Sequence, residues 1–191
     1  MRTKMLLMLL GGLAFLHLTI IVSIIFRIKL PAYLHIYIFL MVVASIILGK
    51  IFKLYENNEI FDKALHGASG AVLTMLGFTI GFLLAGNKFR TFPLLFITIF
   101  AFCFSLSLAL VWEVFEFSVD SLVSGQNMQR WADRNTNSAP YESGLVDTMW
   151  DSISHILGAI LITIAGFFYF KKHPDAEWHL IEKKPRKASE D

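Results

Sequence analysis

The sequence predicts an all-α, polytopic integral membrane protein, a bundle of about five transmembrane helices with one long polar loop between spans four and five. Hydrophobic residues make up 55% of the 191 residues, and they fall in runs about as long as a bilayer is thick. Only 17% of the residues are charged, which is too few to cover a soluble domain of this size. The mean hydropathy of +0.60 agrees with this class.

Composition also limits the partners. The net charge of +2 is too small to indicate a nucleic-acid partner, and the basic residues mostly flank apolar runs, as is usual in membrane proteins. The single cysteine, Cys103, lies in an apolar run and has no second cysteine for a disulfide or a thiolate metal cluster. The expected partners are therefore the lipid bilayer and a lipid or small-molecule substrate, with no nucleic acid.

The first two spans are predicted at residues 5–26 and 31–49. No small-residue cleavage site follows the first run, so we expect a retained span rather than a cleaved signal. Pro31 opens the second span, in keeping with the tolerance of proline in the first turn of a helix. The connection at residues 50–63 mixes charged with apolar residues, which suits either a short interfacial helix or an ordinary connection.

The other three spans are predicted at residues 64–85, 92–117 and 147–170. Gly77 and Gly81 form a small-xxx-small pair in the third span, a spacing that lets helices approach closely. The polar loop at 121–146 has no run able to span, and loops of this length are usually functional lids or disordered. We therefore expect one transmembrane domain at 1–170 and a charged tail at 171–191 without an assigned fold.

Ionisable residues recur at helical spacing in the last three spans. Asp147, Asp151 and His155 are four residues apart, so they share one helix face at intervals of about 6 Å. Matching sets lie in two other spans. Asp62 and His66 open the third span, and Glu113, Glu116 and Asp120 close the fourth. Counting spans brings all three sets to the same side of the membrane. Because ionisable groups in membrane helices are costly unless paired, these eight are functional candidates.

Six carboxylates and two imidazoles in one cluster require a compensating positive charge. Lys63, Arg130 and Arg134 lie nearby in the sequence, but we favour a divalent metal ion (Zn, Mn, Fe or Mg), since carboxylate and histidine ligands on facing helices bind metals in di-metal bundles. The predicted metal ligands are Asp62, His66, Glu116, Asp151 and His155. Glu113 and Asp147 are the predicted catalytic carboxylates, one of them a general base for a metal-bound water.

Three stretches, FDKALHGASG, WEVFEF and VDTMWDS with the following LGA, resemble the YjdF-like family of small bacterial inner-membrane proteins. The resemblance covers roughly residues 62–170, and the chain departs from it at His155 and in the long loop. It implies a shared helical architecture, an acidic site and a location in the bacterial inner (plasma) membrane. It implies no particular reaction.

The expected function is a metal-dependent hydrolase or transferase acting on a lipid-borne phosphate or ester. The long loop is expected to cover the acidic cluster, where Arg130 or Arg134 would meet a phosphate. A proton or divalent-cation transporter is one alternative, although the opposite ends of these spans are plain apolar sequence. A non-enzymatic assembly protein with a structural acidic network is another. The distribution of Lys and Arg favours a cytoplasmic C-terminus and an outward-facing site.

Overall fold

The computed structural model describes residues 2–25, 28–29, 32–85, 92–123, 128–129, 144–174 and 182–183. Contacts within the chain divide it into two compact units, residues 1–56 with 176–191 and residues 57–175. The predicted division into 1–170 and 171–191 stays a prediction.

The first unit contains α1 (Arg2–Ile25), β1 (Ile28–Lys29), α2 (Ala32–Val43), a π-helical continuation of α2 (Ala44–Ile51), α3 (Leu54–Asn57) apart from its last residue, and β2 (Glu182–Lys183). The two strands pair antiparallel, with Ile28 opposite Lys183. The π-helical segment is closed by a hydrogen bond from the Phe52 amide to the Ile47 carbonyl at 2.9 Å, and it ends before Lys53, whose φ of 59° is left-handed. The connection predicted at 50–63 thus contains the short helix α3.

The second unit is a bundle of three helices, α4 (Glu59–Ala85), α5 (Leu94–Leu122) and α6 (Gly144–Lys172). Each helix extends beyond its predicted apolar run on the side that carries the ionisable residues. Polar flanking residues continue the backbone hydrogen bonding outside the hydrocarbon layer, so an apolar run marks the membrane-crossing part of a helix and not its ends. Helix α5 runs antiparallel to the other two.

Small residues set the close approach of α4 to α5. A Cβ added to Gly77 would lie 2.7 Å from the Ala101 Cα, so the two backbones touch there. Gly81, one turn further along α4, faces the side chains of Ile97 and Phe100 on α5. The predicted small-xxx-small pair is therefore a helix-packing feature.

Four helices of the described residues are long and apolar enough to cross a membrane: Ala32–Ile51, Ile60–Phe82, Leu94–Leu122 and Gly144–Lys172. These confirm an all-helical membrane protein. The predicted first span at 5–26 corresponds to α1, which is helical over 24 residues but is not among the four. Large apolar side chains such as Leu95, Phe96 and Ile99 point outward from α5, as expected of a surface that meets lipid.

Aromatic side chains fill the second unit at the end opposite the ionisable residues. The ring centroid of Phe170 on α6 lies 5.4 Å from that of Phe78 and 4.6 Å from that of Phe82, both on α4. Phe78 is almost completely buried. The buried ionisable residues that the structure describes in this unit therefore lie at one end of the bundle.

Candidate functional site

Glycines bring α4 and α6 into backbone contact beside the ionisable residues. A Cβ on Gly70 would collide with the carbonyl oxygen of His155, and a Cβ on Gly158 would collide with the carbonyl oxygen of Gly67. No side chain fits between the helices at these two points. The carboxylates and imidazoles of the site lie beside these contacts, towards the helix ends, and the close approach of the helices holds them near one another.

Four side chains from the three helices converge in what we term the inner group: His66, Glu113, Glu116 and Asp151. Each offers one ligand atom, and these atoms all lie within 4.8 Å of one another. The His66 ring spans the group, with Nδ1 3.7 Å from Glu113 Oε1 and Nε2 3.7 Å from Asp151 Oδ2. Both distances are too long for hydrogen bonds. They are near the spacing of about 3.0–3.4 Å that two ligands adopt in octahedral or tetrahedral coordination around an ion with bonds of about 2.1 Å.

Asp151 is the most enclosed member of the inner group, with 0% of its surface exposed. Its Oδ2 has no hydrogen-bond partner among the residues that the structure describes. Its Oδ1 faces the ammonium of Lys63 at 3.1 Å. Burying an ionised carboxylate is costly unless each oxygen is matched by donors or positive charge, so the Oδ2 side calls for a further cation or proton.

Three aspartates surround Lys63 in what we term the outer group. The Lys63 ammonium lies 2.6 Å from Asp147 Oδ1, 3.1 Å from Asp151 Oδ1 and 3.5 Å from Asp62 Oδ2. The same three aspartates offer oxygens within 4.8 Å of one another, so the lysine nitrogen fills a position fit for a cation. The compensating charge at this position is thus the protein's own ammonium group.

His155 was predicted as a ligand but lies apart from both groups in the described part of the chain. It is buried, and its Nε2 lies 2.9 Å from Ser105 Oγ, which is itself 3.2 Å from the Gly70 carbonyl oxygen. Glu113, predicted as a catalytic carboxylate, is a member of the inner group, and its catalytic role stays a prediction. Helical rise gives the depth of a backbone atom and leaves out the length and direction of the side chain.

Asp120 holds the start of the long loop. Its carboxylate accepts the backbone N–H groups of Met128 at 2.8 Å and Gln129 at 2.9 Å. The Gln129 side-chain amide donates to Thr148 Oγ1 on α6 at 2.9 Å, next to Asp147. This short segment therefore links the end of α5 to the beginning of α6. Most of the loop that is expected to cover the acidic cluster, including Arg130 and Arg134, lies outside the described residues.

Two tryptophans sit beside the carboxylates on the outward faces of their helices. Trp112 is 38% exposed, and its Nε1 donates to Glu116 Oε1 at 3.0 Å. Trp150 precedes Asp151 and is exposed. The exposed rings of both suit an anchoring position at the membrane interface. Trp112 in addition orients one member of the inner group.

A family model described as "Predicted membrane protein (DUF2238)" matches residues 2–172, which is most of the chain. No curated protein and no solved structure matches it significantly. The family description supports a bilayer environment and names no activity.

Proposed function

This chain belongs to the family of predicted membrane proteins DUF2238, and we propose that it is a metal-dependent membrane enzyme, a hydrolase or transferase acting on a lipid-borne phosphate or ester. One observation carries the proposal. Three helices bring four buried oxygen- and nitrogen-bearing side chains of the inner group within 4.8 Å of one another.

Charge balance supports a bound cation. The two groups together contain five carboxylates, Asp62, Glu113, Glu116, Asp147 and Asp151, against one ammonium. Like charges at such short range are strongly unfavourable without a positive partner. Lys63 meets the three aspartates of the outer group, while Glu113 lies at Nδ1 of His66, away from the Nε2 that faces Asp151, and Glu116 adds a further carboxylate to the inner group. A divalent ion in the inner group would offset this remaining charge.

The donor set also suits such an ion. Carboxylate and imidazole ligands bind Zn, Mn, Fe or Mg, and the described ligands include no thiolate that would favour a softer metal. When bound, a metal of this kind polarises a phosphoryl or carbonyl oxygen and supplies a nucleophilic water at neutral pH. His66, Glu113, Glu116 and Asp151 would hold it.

Asp147 is the candidate general base. It lies one turn before Asp151, outside the inner group, and its side chain is 14% exposed. The contact from Lys63 favours its ionised form, which is the form that accepts a proton. Glu113, the other predicted catalytic carboxylate, is reassigned in this proposal to metal binding.

A lipid is proposed as the substrate because the site lies beside exposed apolar helix faces. The ends of α5 and α6 that carry the acids also expose apolar rings and side chains, among them Trp112, Phe115 and Trp150. A lipid could lay its acyl chains along these faces while its headgroup reaches the carboxylates. Arg130 and Arg134 on the long loop are proposed to meet the phosphate of such a headgroup.

We also propose a family resemblance for the protein, the membrane in which it resides and its orientation there. The protein would be YjdF-like and reside in a bacterial inner membrane, with five spans that include α1. Its C-terminus would be cytoplasmic, which sends the acidic site outward because α6 runs from the site to the tail.

The first prediction concerns metal content. Protein purified without chelators should contain about one divalent ion per chain by elemental analysis, and Glu116→Gln or Asp151→Asn should remove most of it, because each exchange keeps the shape and removes an anionic ligand. Asp120→Asn is the matched control, since Asp120 binds loop amides and not the inner group. A metal-free parent, or full occupancy in both inner-group variants, would refute the metal site.

A flux assay addresses the transport alternative. The phenylalanines Phe78, Phe82 and Phe170 close the bundle at the end opposite the acids. Proteoliposomes should therefore pass neither protons nor Mn²⁺ faster than empty liposomes. Flux that disappears in Asp151→Asn would favour a transporter.

A further inference from the structure

The outer group resembles one half of a two-cation carboxylate site. Asp62, Asp147 and Asp151 offer three oxygens within 4.8 Å of one another, and the Lys63 nitrogen lies among them at 2.6 to 3.5 Å. An ammonium nitrogen here is positioned as a bound cation would be, apart from its longer contacts. The positive charge of the Lys63 ammonium among these oxygens distinguishes the outer group from an ordinary patch of surface acids.

Asp151 connects the two groups. It is the one residue that the described ligand groups share, with Oδ1 turned to Lys63 at 3.1 Å and Oδ2 to His66 at 3.7 Å. Asp151 is completely buried and its Oδ2 has no hydrogen-bond partner among the described residues, and the 3.7 Å distance to His66 Nε2 turns this oxygen to the inner group. A carboxylate in this arrangement is a bridge between two cation positions, like the bridging acids between paired metals about 3.5–4 Å apart.

We propose that Lys63 is a built-in substitute for a second metal ion, so that the site takes one divalent ion in the inner group while the ammonium permanently fills the outer group. The proposal rests on the metal-dependent function proposed above. Lys63 is here a positioning residue, because it fixes Asp147 and the Oδ1 side of Asp151 without itself ligating the ion.

The geometry argues against a structural lysine that merely neutralises nearby acids. Lys63 follows Asp62 directly, so the helical period puts the two side chains about 100° apart around α4. The lysine chain nevertheless crosses to α6 and makes its shortest contact with Asp147. A surface lysine would instead extend into water, where its hydration is favourable.

The test is to remove the ammonium and count ions. Lys63→Met keeps the length and apolar stem of the side chain and vacates the outer group. Mn²⁺ binding, measured on the full chain in detergent, should rise from one ion per parent chain to two. The two Mn²⁺ ions would share Asp151, so their electron paramagnetic resonance signal should broaden through spin coupling. Lys63→Arg, which keeps a positive charge, should stay at one ion.

A second variant localises the added ion. Lys63→Met combined with Asp147→Asn should return to one ion with an uncoupled signal, because one outer ligand has lost its charge. If Lys63→Met is unstable without metal, Mn²⁺ should restore a monodisperse, thermally stable protein, since the second ion replaces the missing charge. A variant that remains aggregated at saturating Mn²⁺ overturns the inference.

The remaining outcomes separate the two proposals. One ion in the parent and one or none in Lys63→Met overturns the role of Lys63 and leaves the metal-dependent function intact. Two ions in the parent overturn it as well, since the lysine would not then exclude the second ion. No ion in either protein refutes both.

Discussion

Trp112 is a fluorescent reporter beside Glu116, one of the ligands of the inner group. Its indole N–H donates to Glu116 Oε1 at 3.0 Å, so the ring stays within a few ångströms of any ion bound there. The chain contains four tryptophans, and the ring of Trp150 is 56% exposed. A response that depends on Trp112 would therefore locate the ion without a crystal.

We predict that Mn²⁺, a paramagnetic quencher, lowers the tryptophan emission of the parent protein. Trp112→Phe should lose most of this response because the reporter beside Glu116 is gone. Trp150→Phe is the matched control and should respond as the parent does. Equal quenching in all three proteins would show that the ion binds elsewhere.

The contact between α4 and α6 is the element on which the site depends, because it aligns His66 with Asp151. The glycines at this contact are not equivalent. A Cβ on Gly158 collides with the backbone of α4, whereas a Cβ on Gly67 would lie 3.5 Å from the Ser154 carbonyl, an ordinary contact. Backbone atoms cannot move aside as a side-chain tip can.

We predict that Gly158→Ala destabilises the protein by about 1–3 kcal/mol and weakens metal binding, because the two helices must separate. Gly67→Ala, the matched control on the facing helix, should keep or raise the melting temperature, since alanine is the better helix former. Thermal melts in detergent and metal titrations measure both effects. Similar melting temperatures for the two variants would contradict this packing.

Helical periodicity predicted the parts of the site that lie along one helix. Asp147 with Asp151 and Glu113 with Glu116 were found from their spacing, and both pairs face the bundle interior. Bilayer-length apolar runs likewise predicted α2 with its π-helical continuation, α4, α5 and α6.

Contacts between helices could not be predicted from the spacing of residues along one helix. Lys63 was judged by its position in the sequence, but its flexible stem reaches a partner 84 residues away. His155 shares a face with Asp151, yet its ring meets Ser105, a residue whose level relative to α6 depends on how α5 packs. Side-chain reach and helix packing are properties of the assembled bundle, and spacing along one helix carries no information on either.

At the scale of the whole molecule, α6 sets the relation between the site and the tail. It begins at the acidic cluster and ends at Lys172, so these two parts lie on opposite sides of the membrane if α6 spans it. In the proposed five-span topology, seven of the 17 basic residues fall on the side of the site and ten on the other, six of them in the tail. This distribution is the basis, through the positive-inside rule, of the proposed cytoplasmic tail.

We predict that alkaline phosphatase, which is active only outside the cytoplasm, is inactive when fused after Asp191. The same reporter inserted in the loop at 121–146 should be active, and this pair serves as an internal control. The opposite pattern would reverse the orientation and turn the acidic site towards the cytoplasm.

The 84-residue separation between Lys63 and Asp147 also orders events during synthesis. At ~5–20 residues per second, the ribosome makes the second partner roughly 4 to 17 s after the first. During that interval α4 and α5 carry their acids into the membrane without the aspartates of α6. A stop codon at the start of α6 is therefore expected to leave Lys63 and the acids of α4 and α5 without their partners on that helix.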